Sequence, residues 1–253
     1  MISLKGPSEL VSMRAAGRIV GVVLERLQAA AVPGVTTAAL DALARDTIAE
    51  LGGQPAFKGY RGFPGYICTS VNEEVVHGIP GPRVLKAGDL IGLDVGARVD
   101  GYYADAAISV PIGPVSDEAR RLLAVTEQAL AAGIAQASPG RRLSDISHAV
   151  QTTVEHAGFS VVREFVGHGI GVQLHEPPQI PNYGPAGTGP VLKPGMVLAI
   201  EPMVNAGRPE VEVLEDGWTA VTRDRRLSAH FEHTVAITEQ GPEIVTGCPK
   251  KKP

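Results

Sequence analysis

The stretch LIGLDVGARVDGYYADAAISV, residues 90–110, decides how this chain is read. It reads as two strands around Asp100-Gly101, a dipeptide that favours a two-residue hairpin turn. With that turn, Val99 pairs with Tyr102 and Gly96 with Asp105. Asp94 lies two residues from Gly96 and shares its face, so both carboxylates point to one side of the hairpin, roughly 7–8 Å apart at the backbone. An unbulged three-residue turn would send one of them to the other face. Aspartate is depleted in strands and is seldom buried without a partner. One account is structural: a turn amide for one carboxylate, and an arginine such as Arg98 for the other. The second account is a bound cation, which turns their mutual repulsion into attraction.

Further carboxylates favour the cation. Glu201 follows an apolar run in VLAIEPMV (197–204), and Glu232 sits in SAHFEHTVAIT (228–238), flanked by His230 and His233. In FVGHGIGVQLHEPP (165–178), His168 stands between glycines, where the backbone can approach a ligand closely, and His175 follows seven residues later. The helical zincin motif is absent, because HEPPQ has no second histidine and Pro177-Pro178 would break a helix. His148 and His156 are expected to be exposed on a helix. Asp94, Asp105, His168, Glu201 and Glu232 form an oxygen-rich set with one imidazole. That composition suits a pair of first-row divalent ions better than a structural zinc site. Spacing alone does not show that the five meet.

The rest of the chain supplies the frame. Helical patterns run from Ser8 to Ala31 with Ser8 as cap, from Thr37 to the Gly52-Gly53 stop, from Asp117 to Ala137 capped by Ser116, and over 145–157 capped by Ser144. Residues 57–80 read as loops and short strands, and the sequence after Gly158 reads as strands between Pro/Gly clusters. Pro33 and Gly52 are 19 positions apart, as are Pro139 and Gly158, and the two Pro-Gly pairs are offset by 106. Helix pairs followed by strands, twice over, predict an α+β architecture: antiparallel pairing, helices on one sheet face, and a site between two similar halves. A single catalytic domain over 1–253 is expected, with a short disordered basic tail at about 248–253.

Composition excludes several classes. The chain has 253 residues, a net charge of −4, 20% charged and 44% apolar residues, as expected of a soluble globular protein with no nucleic-acid footprint. Cys68 and Cys248 lie far apart with no zinc-like or CxxC spacing, which fits a reducing cytosol. The start lacks the blocks of a signal peptide, and no apolar run approaches the ~20 residues of a membrane span.

Taken together, NEEVVHGIP (72–80), DVGARVDGYYAD (94–105), GHGIG (167–171), HEPP (175–178), IEPM (200–203) and SAHFEHT (228–234) resemble the type I methionine aminopeptidases over essentially the whole chain. The resemblance implies a pita-bread (creatinase/aminopeptidase) fold: two pseudo-symmetric halves around a central antiparallel sheet backed by helices. It implies two divalent metal ions (Co, Mn, Fe or Zn), with Asp94 on one, Asp105 and Glu232 bridging, and His168 and Glu201 completing the other. It also implies Glu201 as proton shuttle, and His77 and His175 as contacts to the substrate amide that stabilise the tetrahedral intermediate. A methionine pocket of Phe57, Tyr60, Phe63, Cys68, Leu174 and Trp218 follows from the same likeness. Leu174, Phe63 and His230 depart from residues more familiar in the family. The implied activity is removal of the initiator methionine when the second residue is small. The expected partners are N-terminal Met peptides and nascent polypeptides, with the ribosome a further candidate, for a cytoplasmic monomer with no membrane or nucleic-acid site. Aminopeptidase P or prolidase is the alternative enzyme, although these carry an N-terminal domain before helices such as the one expected here at Ser8. A binding protein that lost its metals is the alternative outside enzymes.

Overall fold

A computed structural model describes residues 2–247 of the chain. The expected basic tail and Cys248 lie outside these residues. Four helices, α1 (Pro7–Ala30), α2 (Thr37–Glu50), α3 (Asp117–Gln136) and α4 (Leu143–His156), pack on a sheet of nine strands. These strands are β1 (Gln54–Pro55), β2 (Ile67–Val71), β3 (Leu90–Val99), β4 (Tyr102–Pro111), β5 (Gly167–Gly169), β6 (Glu176–Ile180), β7 (Val197–Ile200), β8 (Glu232–Thr238) and β9 (Gly241–Ile244). Their order is β1-β3-β4-β8-β7-β5-β6, with β2 also on β3 and β9 also on β8, and every pairing is antiparallel. Two three-stranded sheets flank it. One joins Ser160–Val161, Met203–Asn205 and Ser228–His230; the other joins Glu74–Val76, Val211–Val213 and Ala220–Thr222.

The hairpin takes the expected turn. Asp100 (φ 49°) and Gly101 (φ 88°) both adopt left-handed backbone, as a type I′ turn requires, and Val99 faces Tyr102 while Gly96 faces Asp105. The period of two then divides the strand. Ile91, Leu93 and Val95 are fully buried in one cluster with Val20, Val23 and Leu27 of α1 and Leu40 and Ile48 of α2. Burying side chains of this size contributes about 1.5–3 kcal/mol each, and this apolar row fixes the register. Asp94 and Gly96, on the alternate positions, face away from the helices. In the other half, Leu198, Ile200, Val235 and Ile237 pack with Leu130 and Ile134 of α3 and Leu143 and Ile146 of α4, which leaves Glu201 and Glu232 on the helix-free face.

The caps differ from expectation in two places, on α1 and α4. Gly6, not Ser8, caps α1, and the Glu9 carboxylate accepts from its N–H at 2.7 Å. Helix α2 opens at Thr37 as expected, with Thr36 as its cap, accepting from Ala39 N at 3.2 Å. Arg142 takes the cap position of α4, where Asp145 accepts from its N–H at 2.9 Å; Ser144 is inside the helix and bonds Thr188 across the loop. Ser116 caps α3 as expected. In both corrected cases the carboxylate three residues into the helix accepts from the backbone N–H of the cap residue itself. After Gly158 the expected strands are short: over 160–173 only Ser160–Val161 and β5 form, separated by bends. Among the described residues no helix is long and apolar enough to cross a membrane.

Candidate metal centre

The register of the large sheet assembles the site. Asp94 on β3 faces Ala107 on β4, Ala107 faces Glu232 on β8, and extending the β8–β7 register by one residue brings Glu201 opposite Glu232. A second row runs alongside: Gly96 faces Asp105, and His168 on β5 faces Ala199 on β7, which faces Thr234 on β8. The two rows share one face, so all five sequence-predicted ligands line one cavity, four of them from strands and Glu201 from the residue after β7. Ala107 and Ala199 between them are small, and Gly96 makes room for Phe57, whose ring a Cβ there would meet at 2.7 Å.

Asp105, His168 and Glu232, all buried, each offer an atom within 4.8 Å of the other two. His168 Nε2 lies 3.4 Å from Glu201 Oε1 and 3.6 Å from Asp105 Oδ2. Its Nδ1 is 2.9 Å from the Gly169 carbonyl. A carbonyl only accepts, so Nδ1 carries the proton and Nε2 presents a lone pair to the carboxylates, the tautomer a metal ligand needs. Thr234 Oγ1 fixes Asp105: it accepts from Asp105 N at 3.1 Å and lies 3.0 Å from Oδ1. Asp94 takes a bond from the Cys68 thiol, its cross-strand neighbour, while its Oδ1 is buried with no partner.

Burial, and then the neighbouring acids, push Asp94, Glu201 and Glu232 well above the usual carboxylate range. Burial also raises Asp105 to about 6 and lowers His168 to about 4, so the imidazole is neutral and its closeness to the acids is not an ion pair. Among the described residues no Lys or Arg forms an ion pair with any of the four carboxylates. Arg98, the structural alternative, places its guanidinium 5.3 Å from the Tyr103 ring centroid instead. Two buried acids (Asp105 and Glu232) and two half-buried ones (Asp94 and Glu201) without a cationic side chain, one with an orphaned oxygen, and an imidazole lone pair aimed among them fit divalent metal ions.

The acids form the floor of a cavity of about 340 Å³, which all the sequence-predicted pocket residues line: Phe57, Tyr60, Phe63, Cys68, Leu174 and Trp218, together with His77 and His175. Trp218 meets the Phe63 ring edge-on at 5.1 Å. Tyr60 stacks on His175 at 5.3 Å, and its hydroxyl lies 2.9 Å from His175 Nδ1. The His175 and His168 ring centres are 4.2 Å apart. His77 has φ 61°, a conformation uncommon outside glycine, and meets Phe165 edge-on at 5.4 Å; strained backbone of this kind concentrates at functional sites. His148 and His156 are exposed, as expected.

Sequence reasoning missed part of the wall. Phe165, Val76, Met203 and His230 also line the cavity, with Arg61 and Glu164 among its lining residues. His230 Nε2 is buried without a hydrogen-bond partner, 3.9 Å from Glu201 Oε2. Met203 was within reach, since it is two residues from Glu201. Phe165 and Val76 sit in segments whose alternation is too short to assign a face.

Comparison with known proteins agrees with this geometry. Residues 11–239 match metallopeptidase family M24, and the chain belongs to that family. It is 58% identical to methionine aminopeptidase 1 of Bacillus subtilis, over 97% of this chain and 99% of the relative. It is 53% identical to the methionine aminopeptidase of Clostridium acetobutylicum, over 98% and 100%. The crystal structure of methionine aminopeptidase from Thermotoga maritima superposes with a TM-score of 0.97 at 50% identity, covering 98% of this chain and all of that one. A prolidase from Pyrococcus furiosus shares the fold at a TM-score of 0.79 and 21% identity, with only 66% of its length covered. The pita-bread architecture is therefore established, and the near-full-length relatives are methionine aminopeptidases rather than prolidases.

Proposed function

We propose that this chain is a metal-dependent aminopeptidase that removes the N-terminal methionine of peptides and nascent proteins whose second residue is small. One observation carries the reading: four acids, two of them fully buried, and a neutral imidazole floor the same cavity that Phe57, Phe63, Leu174 and Trp218 wall with apolar surface. Asp94, Asp105, His168, Glu201 and Glu232 would hold two divalent ions (Co, Mn, Fe or Zn). Such ions supply Lewis acidity, lowering the pKa of water and polarising a carbonyl.

The remaining roles belong to side chains. The Cys68 and Phe63–Trp218 wall takes an unbranched thioether, with sulfur–aromatic contacts of about 0.3–1.5 kcal/mol each. His77 and His175, neutral because burial lowers both and His175 to about 4, donate hydrogen bonds to the scissile amide and to the oxyanion that develops from it. Tyr60 fixes the His175 ring by stacking and by its hydroxyl. Glu201, held above the usual carboxylate range by burial, carries a proton from water to the leaving amine. Residues 1–253 act as one catalytic domain. The protein works as a cytoplasmic monomer on chains emerging from the ribosome.

The test is a panel of Met-Ala-Ser, Met-Leu-Ser, Leu-Ala-Ser and Ala-Pro with Co, Mn, Fe or Zn, and with chelator. Cleavage of Met-Ala-Ser alone, abolished by chelator and restored by metal at two ions per chain, is expected. Cleavage of Ala-Pro without Met-Ala-Ser would overturn the reading in favour of a prolidase.

A further inference from the structure

A second cavity, of about 290 Å³, lies between the start of the chain and the segment that carries His175; Lys5, Ser3, Gln173 and Glu176 line it. Beside it is a buried ion pair joining residues 171 positions apart. Lys5 Nζ lies 2.7 Å from Glu176 Oε2, with the two side chains 3% and 10% exposed. Ser3 Oγ donates to the same oxygen at 2.7 Å, and Gln173 N donates to Oε1 at 3.1 Å. Glu176 directly follows His175, so its carboxylate is the anchor at the base of the segment bearing Leu174 and His175.

The lysine is itself held in place. Its N–H donates to Gly195 O at 2.7 Å, and its stem packs so closely on Gly171 that a Cβ there would stand 2.3 Å from Lys5 Cε. Gly171 O accepts from Tyr103 N at 2.8 Å, and Glu9 bonds both Gly6 N and the Tyr102 hydroxyl. The first residues, the tip of the β3–β4 hairpin and the 171–176 segment therefore form one tied unit. No bond in it reaches the metal-ligand candidates. A buried ion pair is weak as a stabiliser but specific as a locator, because breaking it leaves a buried charge alone.

We infer that Lys5 is a positioning residue: through Glu176 it sets the placement of Leu174 and His175 at the cavity wall, so the ordered start of the chain is part of the catalytic geometry. The inference deepens the function proposed above, since it acts through the role of His175 in that reading. The predicted route is Lys5 to Glu176 to the 171–175 backbone to the His175 ring, with Tyr60 clamping the far side.

The experiment uses the full metal-loaded chain and the variants Lys5→Met, Lys5→Arg, His175→Ala and Lys5→Met/His175→Ala. Rates on Met-Ala-Ser are measured well below each melting temperature, beside amide hydrogen exchange over 170–176. Lys5→Met should lower kcat on the order of tenfold, as small displacements of a positioned group do. It should also accelerate exchange over 170–176, and add less than about twofold to the loss in His175→Ala. Lys5→Arg, whose longer head has the adjoining cavity, should recover most of the rate. An unchanged kcat, losses that multiply in the double variant, or unchanged exchange would overturn the inference. If Lys5→Met does not fold, Glu176→Gln gives the same comparison with the carboxylate charge removed. A wild-type chain inactive on Met-Ala-Ser would sink the proposed function, while the exchange measurement would still decide whether Lys5 orders the segment.

Discussion

The two halves of the molecule are built to one plan and finished differently. Helices α1 and α3 end 106 positions apart, α2 and α4 are both 14 residues long with the same offset, and Gly34 and Gly140 take left-handed backbone at matching points. Strands β3 and β7 begin 107 positions apart, which places Asp94 and Glu201 at equivalent sites, and β4 and β8 meet at the facing pair Ala107 and Glu232. The plan then diverges. In the first half, two residues join β3 to β4; in the second, residues 201–231 intervene between β7 and β8 and bring Met203, Trp218 and His230 to the cavity. Where Glu232 stands in one half, its facing partner is a small alanine. The scaffold is thus close to symmetric while the chemistry is not. Equivalent backbones hold unlike ligand candidates, and the second half's long excursion supplies wall that the short turn of the first half cannot.

The sharpest way to break this division is at Asp105, the first-half ligand candidate whose hydroxyl partner, Thr234, belongs to the second half. Asp105→Asn should cost more than about a hundredfold in kcat/KM, because an amide is a poor ligand in an anionic site. The metal-free variant should melt no lower than wild type at pH 7. Burial raises the Asp105 pKa to about 6, so above that pH the ionised carboxylate is a cost to the metal-free fold that asparagine lacks. Near-native rates, or a large fall in the metal-free melting temperature, would show that Asp105 is a structural acid.

A second experiment weighs the two halves by charge. Before a cation binds, burial and mutual repulsion keep Asp94, Glu201 and Glu232 protonated well beyond the ordinary carboxylate range, whereas His168 is already neutral. A cation requires the ionised acids, so the metal-free form holds more protons than the bound form, and acid favours metal loss. Calorimetric titration with Mn or Co near pH 6.5, in two buffers of different ionisation heat, should report net proton release on binding. Affinity should fall further as pH drops through about 6. Identical heats in both buffers would mean the acids are ionised before the metal arrives.

Much of this was legible in the sequence for identifiable reasons. Asp100-Gly101 fixes a turn, the turn fixes the register, and an apolar row on one face of β3 forces Asp94 and Asp105 to the other. Glu201 and Glu232 were visible because a carboxylate after an unbroken apolar run has no solvated face to occupy. Their meeting with His168 was not legible, since it depends on the order of β4, β8, β7 and β5, which local spacing does not encode; the family resemblance supplied it. The caps of α1 and α4 lie two residues before the serines expected to supply them, because Glu9 and Asp145 close the helix starts from inside by accepting from the cap N–H. The Lys5–Glu176 pair was invisible because nothing local marks a contact between residues 171 positions apart. The tail after Gly247 lies outside the described residues.

The subtlest test asks how deep the likeness of the halves goes. Gly52 (φ 75°) and Gly158 (φ 80°) each follow a 14-residue helix, and each donates to a carbonyl three residues back at 3.0 Å. A Cβ on either would meet nothing within 4 Å, so alanine there costs only the left-handed backbone, about 1 kcal/mol. Gly52→Ala and Gly158→Ala should therefore lower the denaturant-unfolding free energy of the metal-free chain by equal amounts, and their double variant by the sum. Unequal losses, differing by more than about 0.5 kcal/mol, would mean that the two stops are alike in backbone only. The helices they close would then contribute unequally to the stability of the shared sheet, and the symmetry would be one of geometry without being one of energy.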